Sequence, residues 1–413
     1  MKLYPFQEIG VKWLAHRKRA YLADEMGLGK TVQAIVAARQ IGVRNVLVIC
    51  PASAIENWKR EWARWWPGGP PIYAMSYARL IRTPPSGHEN FDLVILDEAH
   101  YCKTPSAQRT KAALKVAREA ERAWLLSGTP MPNNPVELWP IMKELWPEIP
   151  KFFGISTKHA WMDRFCNWMP GDYGPRIYGV KKEETAKLRP RLQLVMKRRL
   201  TKDVLPDLPP LRVDVSLLPQ DEKFRQALSV EAGKRCDALE DLMQMEQGDD
   251  GSISRLRHFL GQYKAPRIGE IICEELAAGA VEQIVVLYHH HKTMDVLYNL
   301  FKKAGFTVTG FSGQHSPAAR QAAIDLFQEG GADVFLAQQQ AAGIAINLQV
   351  AHEIVLVEPA WSPEDNSQAV KRIHRIGQDS PCRARIFAVA GTLDEAIMDT
   401  LARKTRMITE VLG

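Results

Sequence analysis

One short stretch constrains the fold of this chain more than any other. Residues 24–31 read Asp-Glu-Met-Gly-Leu-Gly-Lys-Thr and stand between an apolar run at 20–23, which predicts a strand, and a helical stretch at 31–40. A glycine-containing loop in that place directs backbone N–H groups and a helix N-terminus at an anion. Lys30 adds a positive charge, and the hydroxyl of Thr31 can bind Mg²⁺. The stretch therefore predicts a phosphate-binding loop in an α/β fold.

The match to the general phosphate-loop pattern is incomplete, because that pattern begins with a glycine where this chain has Asp24. A glycine-rich turn that only caps a helix is the alternative interpretation. The rest of the chain separates the two, since a nucleotide hydrolase also needs carboxylates for metal and water and positive charge for the γ-phosphate.

Size and charge limit the classes of protein to consider. A chain of 413 residues is too long for one ordinary core and predicts about two or three domains. The net charge of +7 suits a polyanionic partner, although such an excess is also common on solvated surfaces. The six cysteines lie far apart without a C-x-x-C pair, which favours reduced thiols over a disulfide framework or a zinc site.

Targeting signals are the next constraint. No apolar run reaches the roughly eighteen residues of a membrane span. The residues at 1–6 lack the apolar region of a signal peptide. We therefore expect an intracellular protein with no membrane partner, located in the cytoplasm or nucleoid, or in the nucleus if its source is a eukaryote.

Short apolar runs alternate with helical stretches in both halves of the chain. The predicted strands are residues 20–23, 45–50, 72–75, 91–96 and 123–126, and then 283–288, 306–311, 333–337, 353–357 and 384–389. This alternation is typical of parallel sheets covered by helices on both faces. We predict an α/β fold of two doubly wound parallel-sheet lobes in tandem, with helical insertions.

The composition also gives domain limits. The first lobe is predicted at 1–196, with a helical insertion at about 133–196. The segment 197–215 is basic and then rich in proline, as in an interdomain linker. The second lobe is predicted at 216–413, divided into a helical part at 220–275 and a core at 276–413.

Two carboxylates follow the predicted strand at 91–96. Asp97 and Glu98 stand at its carboxyl end, where ligands bind to open α/β sheets. An aspartate there can hold Mg²⁺, and the adjacent glutamate can deprotonate the water that attacks the γ-phosphate. Alternatively, the pair only caps the next helix.

Two arginines in the second half could supply the positive charge. Arg372 and Arg375 are three positions apart, so on a helix they share a face. Arginines delivered to a γ-phosphate can accelerate hydrolysis about a thousandfold or more. A solvated basic helix face is the alternative.

Three consecutive histidines at 289–291 suggest a metal site at first sight. Alternate side chains of a strand point to opposite faces, so all three cannot face one ion. We favour a strand-to-loop turn that contacts nucleic acid.

Together these segments resemble the Swi/Snf-type DNA translocases of helicase superfamily two along nearly the whole chain. The similarity rests on PFQEIGVKWL, DEMGLGKT, ICPASAIENWKREW, DEAH, LLSGTP, RRLTKDVLPDLPP, LYHHHKTMDVL, FSGQHSPAAR and WSPEDNSQAVKRIHRIGQ. RRLTKDVLPDLPP and the segment around Arg164 look most like the HepA-related annealing-helicase subgroup. Aspartate at position 24 is normal in this family.

The resemblance implies two RecA-like lobes that hydrolyse ATP with Mg²⁺ in the cleft between them. The nucleotide contacts it implies are Gln7 for the adenine, Gly27, Leu28, Gly29, Lys30 and Thr31 for phosphates and Mg²⁺, and Gln378 at the same interface. The catalytic residues it implies are Lys30, Asp97, Glu98, Arg372 and Arg375, with Thr31 and Asp97 as metal ligands. The DNA contacts it implies are Ser53, Tyr77, His291 and Gln339.

Two positions depart from the family pattern. Tyr4 stands where an arginine is usual, and it could stack on the base or be a surface residue. The segment 338–345 reads Gln-Gln-Gln-Ala-Ala-Gly-Ile-Ala in place of a motif with hydroxyls and a cation. Glutamine amides can still donate to phosphate, so we expect a weaker hold on DNA and intact ATP hydrolysis.

The resulting prediction is a monomeric, ATP- and Mg²⁺-dependent motor on double-stranded or branched DNA, suited to fork remodelling or strand annealing. A strand-separating DNA or RNA helicase with the same core is one alternative. A DNA-binding scaffold that uses ATP as a switch is another, of a different class.

Overall fold

The computed structural model describes residues 2–84, 91–171, 174–222, 251–339 and 346–412. The chain divides into two compact units. The first contains Met1–Met169, Ile177–Pro206 and Arg403–Gly413, and the second contains Pro170–Arg176 and Asp207–Ala402.

The first unit is built on a six-stranded parallel sheet. Its strands are β1 (Arg19–Leu22), β2 (Val46–Cys50), β3 (Ile72–Ser76), β4 (Leu93–Asp97), β5 (Arg122–Leu126) and β8 (Met196–Lys197). Their order is β3-β2-β4-β5-β1-β8, and every neighbouring pair is parallel. All five strands predicted for this half are confirmed.

Burial explains why these strands read as continuous apolar runs. All five residues of β2 are buried. Leu47 and Ile49 pack into one apolar cluster, whereas Val46 and Val48 pack into another. Since alternate side chains of a strand leave opposite faces of the sheet, both faces are covered.

Helices surround this sheet. They are α1 (Pro5–Ala15), α2 (Lys30–Ile41), α3 (Ile55–Trp65), α4 (Tyr77–Arg82), α5 (Gln108–Glu119), α6 (Trp139–Leu145), α7 (Glu148–Phe152), α8 (Lys158–Phe165), α9 (Lys182–Val195) and α10 (Thr201–Val204). The insertion predicted at 133–196 contains α6 to α9 and also a two-stranded sheet of β6 (Cys166–Met169) and β7 (Arg176–Val180).

The second unit repeats the design with another six-stranded parallel sheet. Its strands are β9 (Leu211–Leu218), β10 (Ile284–Tyr288), β11 (Val308–Thr309), β12 (Val334–Gln338), β13 (Glu353–Leu356) and β14 (Cys382–Val389). They follow the order β11-β12-β10-β13-β14-β9. The other α-helices in the described part of the chain are α11 (Gly251–Ala277), α12 (His291–Lys303), α13 (Pro317–Gln328), α14 (Pro363–Val370) and α15 (Leu393–Leu412). The predicted α/β class with two doubly wound parallel sheets is confirmed.

The segment predicted as a linker at 197–215 is mostly regular structure. It contains the end of β8, all of α10 and most of β9, so it completes both sheets. Residues up to Pro206 belong to the first unit. Within the helical part predicted at 220–275, residues 223–250 lie outside the described ranges, and 251–277 form α11.

The C-terminal residues differ from the predicted second lobe at 216–413. Arg403–Gly413 belongs to the first unit, because Met407, Ile408 and Val411 are buried in its apolar cluster. Across the described ranges, no helix combines the length and apolarity that a bilayer crossing requires. The five cysteines in these ranges are all free thiols, as predicted.

Candidate nucleotide-binding site

The phosphate loop connects β1 to α2, as its sequence predicts. Gly27 and Gly29 adopt left-handed backbone conformations, with φ of 86° and 73°. Gly29 is also the N-cap of α2, and a Cβ atom there would lie 2.5 Å from Nε2 of Gln7. The left-handed conformation favours glycine at both positions, and a side chain at position 29 would also displace the Gln7 amide.

Gln7 holds this loop from α1. Its side chain is buried, its Oε1 accepts from the backbone N–H of Tyr4 at 3.0 Å, and its Nε2 donates to the carbonyl of Leu28 at 3.3 Å. Tyr4 is 43% exposed and stacks on Phe6 with the ring centroids 5.9 Å apart. The predicted adenine contact of Gln7 stays a prediction.

Lys30 is the first residue of α2, and its ammonium group lies against the phosphate loop. Its Nζ donates to the carbonyls of Asp24 at 2.9 Å and Glu25 at 3.4 Å. Thr31 follows it and is partly exposed. A cation beside the N-terminus of a twelve-residue helix favours an anionic ligand.

The Ser-Gly-Thr turn after β5 lies against the phosphate loop. A Cβ atom on Gly128 would stand 2.5 Å from Cγ of Met26 and 3.4 Å from Nζ of Lys30. Arg198 donates to the carbonyls of Gly128 at 3.1 Å and Ala23 at 3.3 Å, so it fastens this turn to the start of the loop. Burial lowers the pKa of Arg198.

Asp97 ends β4 with its carboxylate held on two sides. Oδ2 accepts from Nε1 of Trp58 at 2.7 Å, and Oδ1 accepts from the backbone N–H of Glu98 at 3.0 Å. Burial, followed by the charge of Glu98, raises the pKa of Asp97 to about 6, while the Trp58 hydrogen bond and the charge of Lys30 oppose that rise. A partly buried carboxylate of this kind, together with the Thr31 hydroxyl, fits the oxygen donors that Mg²⁺ takes.

Glu98 adopts an unusual backbone conformation. Its φ is +48°, and no other non-glycine residue in the described part of the chain has a positive φ. Its Oε2 lies 3.4 Å from Nδ1 of His100, and that nitrogen lies 3.0 Å from Oγ of Ser127. The same Oγ accepts from the backbone N–H of Thr129 at 3.1 Å. Glu98, the predicted catalytic carboxylate, is thus linked through His100 to the Ser-Gly-Thr turn that lies near Lys30.

The two arginines of the second unit do not lie on a helix, so the prediction that they share a helix face is wrong. Helix α14 ends at Val370, and Arg372 and Arg375 lie in the turns that follow it. The Arg372 carbonyl accepts from the N–H of Leu348 at 3.1 Å, and the Arg375 carbonyl accepts from the N–H of Gln378 at 3.0 Å. Their role in hydrolysis stays a prediction.

Gln378 is buried inside the second unit. Its Nε2 donates to three backbone carbonyls, those of Gln349, Ala351 and Ile373. Its Oε1 accepts from the N–H groups of Asp379 at 3.0 Å and Ser380 at 3.1 Å. Because the amide is used to fold its own segment, the structure does not favour the nucleotide contact predicted for it.

The four residues predicted to contact DNA divide by exposure. Ser53 and His291 are exposed, as a DNA contact requires. Tyr77 is 4% exposed, and its hydroxyl donates to the carbonyl of Asp97 at 2.9 Å. Gln339 is 5% exposed and donates to Oδ1 of Asn366 at 3.0 Å. Burial does not favour a direct DNA contact for Tyr77 or Gln339, and residues 340–345 lie outside the described ranges.

The three histidines follow β10 directly, and the predicted strand-to-loop turn is two residues long before a helix begins at His291. His290 is the N-cap of α12, and its Nδ1 lies 2.5 Å from Oε1 of Glu358. The other oxygen of Glu358 accepts from the N–H groups of His289 at 2.8 Å and His290 at 3.0 Å. Burial, followed by the charge of Arg257, lowers the pKa of His289 to about 4. These contacts anchor the end of β10 to Glu358.

Three residues of the site lie outside the set predicted from the sequence. Trp58 and Arg198 gave no local signal, because they contact the site from other segments of the chain. His100 could have been found from the sequence, because it belongs to the same four-residue motif as Asp97, and its contact with the Ser127 hydroxyl shows its place in the site.

Comparison with known protein families accounts for most of the chain. Residues 6–84 and 76–267 match the SNF2-related domain, and residues 268–377 match the helicase conserved C-terminal domain.

Named relatives align over nearly the entire chain. The SWI/SNF-related matrix-associated actin-dependent regulator of chromatin subfamily A-like protein 1 of Xenopus tropicalis is 28% identical, over 98% of this chain and 44% of its own length. The DNA annealing helicase and endonuclease ZRANB3 of Mus musculus is 28% identical, over 100% of this chain and 41% of its own. The chain therefore spans less than half of these two relatives, and the predicted similarity to annealing helicases is confirmed.

Among solved structures, the Sulfolobus solfataricus SWI2/SNF2 ATPase core in complex with dsDNA is 22% identical, with a TM-score of 0.46, and covers 100% of this chain and 93% of that chain. Because this TM-score is below 0.5, the fold is assigned from the strand order of the two sheets and not from this similarity.

Proposed function

The chain belongs to the SNF2-related family, and from that premise we propose that it is an ATP- and Mg²⁺-dependent motor acting on double-stranded or branched DNA. The observation that carries this proposal is the arrangement in the first unit. A glycine-held phosphate loop with Lys30 stands beside Asp97 and Glu98, and His100 and Ser127 link the carboxylate side to the loop side.

Each residue then has a distinct task. The loop backbone and Lys30 bind the ATP phosphates. Thr31 and Asp97 hold Mg²⁺, which when bound neutralises charge on the β- and γ-phosphates. Glu98 takes the proton of the attacking water, because its carboxylate stands next to Asp97 at the end of β4 and is oriented by His100.

Arg372 and Arg375 are proposed to stabilise the charge that develops on the γ-phosphate. Their backbone is well anchored, since the carbonyls of both residues accept hydrogen bonds within the second unit. Anchoring of this kind limits the entropy lost when a guanidinium orders on a phosphate.

The proposed substrate is double-stranded or branched DNA, and the proposed activity is fork remodelling or strand annealing. The net charge of +7 and the exposed Ser53 and His291 are consistent with a polyanionic track. One relative is named a DNA annealing helicase. A protein with this activity works on DNA in the nucleoid or the nucleus.

The test compares ATP hydrolysis with duplex DNA, forked DNA, single-stranded DNA, RNA and no nucleic acid. We expect duplex or forked DNA to stimulate hydrolysis most. A preference for single strands would support the strand-separating helicase instead, and hydrolysis that no nucleic acid stimulates would support the ATP-switched scaffold.

Glu98→Gln tests the chemistry with almost no change in shape. We expect ATP turnover to fall about a hundredfold or more, because the amide cannot accept the proton of the attacking water. Affinity for a fluorescent ATP analogue should stay within about twofold, since Glu98 is not part of the phosphate loop. Near-normal hydrolysis would remove Glu98 as the general base.

A further inference from the structure

Asp24 stands where phosphate loops commonly have a glycine, and its side chain is fully buried. A buried carboxylate is strongly unfavourable unless it is paired and hydrogen-bonded. The residue opens the loop between β1 and α2, so whatever pairs with it also acts on the loop.

Arg199 is that partner, although it lies 175 residues further along the chain. Its Nε donates to Oδ1 of Asp24 at 2.8 Å, and its Nη2 contacts Oδ2, so the pair is bidentate. Nη2 also donates to Oε1 of Gln33 at 2.8 Å, and Nη1 donates to the carbonyl of Phe6. A planar guanidinium can donate to both carboxylate oxygens and to further acceptors at once, and a lysine ammonium cannot reproduce this geometry.

Gln33 extends the hold to the far end of the loop. Its Nε2 donates to Oδ2 of Asp24 and to the carbonyl of Leu28, both at 3.1 Å. The Leu28 carbonyl also accepts from Gln7. One buried cluster of Asp24, Arg199, Gln33 and Gln7 therefore fixes the loop at its first residue and next to Gly29.

The backbone around Arg199 runs along the same loop. The N–H of Ala23 donates to the carbonyl of Lys197 at 2.7 Å, and the N–H of Glu25 donates to the carbonyl of Arg199 at 2.9 Å. Oε2 of Glu25 accepts from the N–H of Thr201 at 2.6 Å. The ladder between β1 and β8 thus continues into the phosphate loop.

We propose that Arg199 is a positioning residue of the nucleotide site: through Asp24 and Gln33 it holds the phosphate loop in the shape that receives ATP. The proposal rests on the proposed ATPase function. According to this proposal, the segment 197–215, which was predicted as a linker, contributes to the affinity for ATP through Arg199. Arg199 acts through the loop, because its donors are directed to Asp24, Gln33 and Phe6.

Arg199→Gln tests the proposal on the full chain. We expect KM for ATP, and the Kd of a fluorescent ATP analogue, to rise about tenfold or more, because Asp24 is left buried without its partner. The kcat should stay within about threefold, since Asp97 ends β4 and Glu98 follows it, outside the phosphate loop. Hydrogen exchange of the ATP-free protein should accelerate at residues 22–33 and stay unchanged in β10.

Two further variants separate charge from shape. In Asp24→Asn/Arg199→Gln neither partner is charged, so KM should rise less than in Arg199→Gln alone. Gly10→Ala leaves all the partners in place, but its Cβ would overlap Oε1 of Gln33 and stand 2.7 Å from Nη2 of Arg199. We expect it to raise KM in the same direction.

Arg189→Gln is the matched control, with the same substitution in the same unit. Arg189 donates to the carbonyls of Thr409, Glu410 and Val411, away from the phosphate loop. It should lower Tm without changing KM or exchange at residues 22–33.

The outcomes distinguish this proposal from the proposed function. If wild-type protein neither binds nor hydrolyses ATP, the proposed function fails, whereas faster exchange at residues 22–33 in Arg199→Gln still supports the loop's dependence on Arg199. Arg199→Gln could instead lower Tm as Arg189→Gln does, with KM and hydrogen exchange at residues 22–33 unchanged. That result would overturn the proposal, because the ion pair would then contribute only to stability.

Discussion

Each unit contains a buried ion pair, and the two pairs serve different parts of the fold. In the first unit Arg199 pairs with Asp24. The Arg199 side chain is 12% exposed and the Asp24 side chain is 0% exposed. In the second unit Lys264 pairs with Asp394 at 2.8 Å, with side chains 0% and 3% exposed. Lys264 also donates to the carbonyl of Phe387 at 2.9 Å, and Asp394 accepts from the N–H of Val389 at 3.1 Å.

The difference lies in what each pair connects. Lys264 and Asp394 join α11, β14 and the first turn of α15, which are regular elements with their own backbone hydrogen bonds. Asp24 and Arg199 instead join a loop to the residues after β8, and neither residue belongs to a helix or strand. The same interaction should therefore act on global stability in the second unit and on local shape in the first.

The largest effect is expected for Lys264→Met. Removing the cation leaves Asp394 buried without a partner, so the free energy of unfolding of the second unit should fall by about 3–5 kcal/mol. Native-state hydrogen exchange in β14 measures this loss. KM for ATP should not change, and Lys264→Met/Asp394→Asn should recover part of the stability. A rise in KM would erase the distinction between the pairs.

A middle effect is expected for Lys264→Arg, which keeps the charge. The site is fully buried, so the larger guanidinium should overpack it and destabilise the second unit by about 1–3 kcal/mol. Urea denaturation followed in β14 checks this value. A stability equal to that of wild type would mean that the site tolerates either cation and that its geometry is less specific than inferred.

The smallest effect is expected for Lys59→Ala in the first unit. Lys59 and Glu56 form an ion pair of 2.7 Å on α3, with side chains 51% and 75% exposed. Since solvent screens such a pair, the change in unfolding free energy should be within about 0.5 kcal/mol. A loss similar to that of Lys264→Met would show that burial is not what separates these pairs.

The ten strands predicted from the sequence are all present, because each is a short apolar run whose signal is local. Residues 46–50 are an example: all are buried, so none needed to be polar. β8 and β9 lack such a signal, because the segment 197–215 is basic at its start and then contains three prolines, as in a linker. Their strand character depends on pairing with β1 and β14, which no local pattern records.

The phosphate loop and the carboxylates were predictable for a similar reason, since each motif is continuous in sequence. The spacing of Arg372 and Arg375 would put them on one face of a helix, whereas α14 ends at Val370. Tyr77 and Gln378 carry polar groups that the sequence could not show to be occupied by backbone atoms. Tertiary hydrogen bonds decide such positions.

The left-handed backbone of Glu98 has a consequence for directed evolution. A non-glycine residue at φ +48° is strained, so glycine or asparagine at this position would relieve that strain. A library of variants selected only for thermal resistance should therefore lose the glutamate there, and its most heat-resistant members should be the ones that no longer turn over ATP.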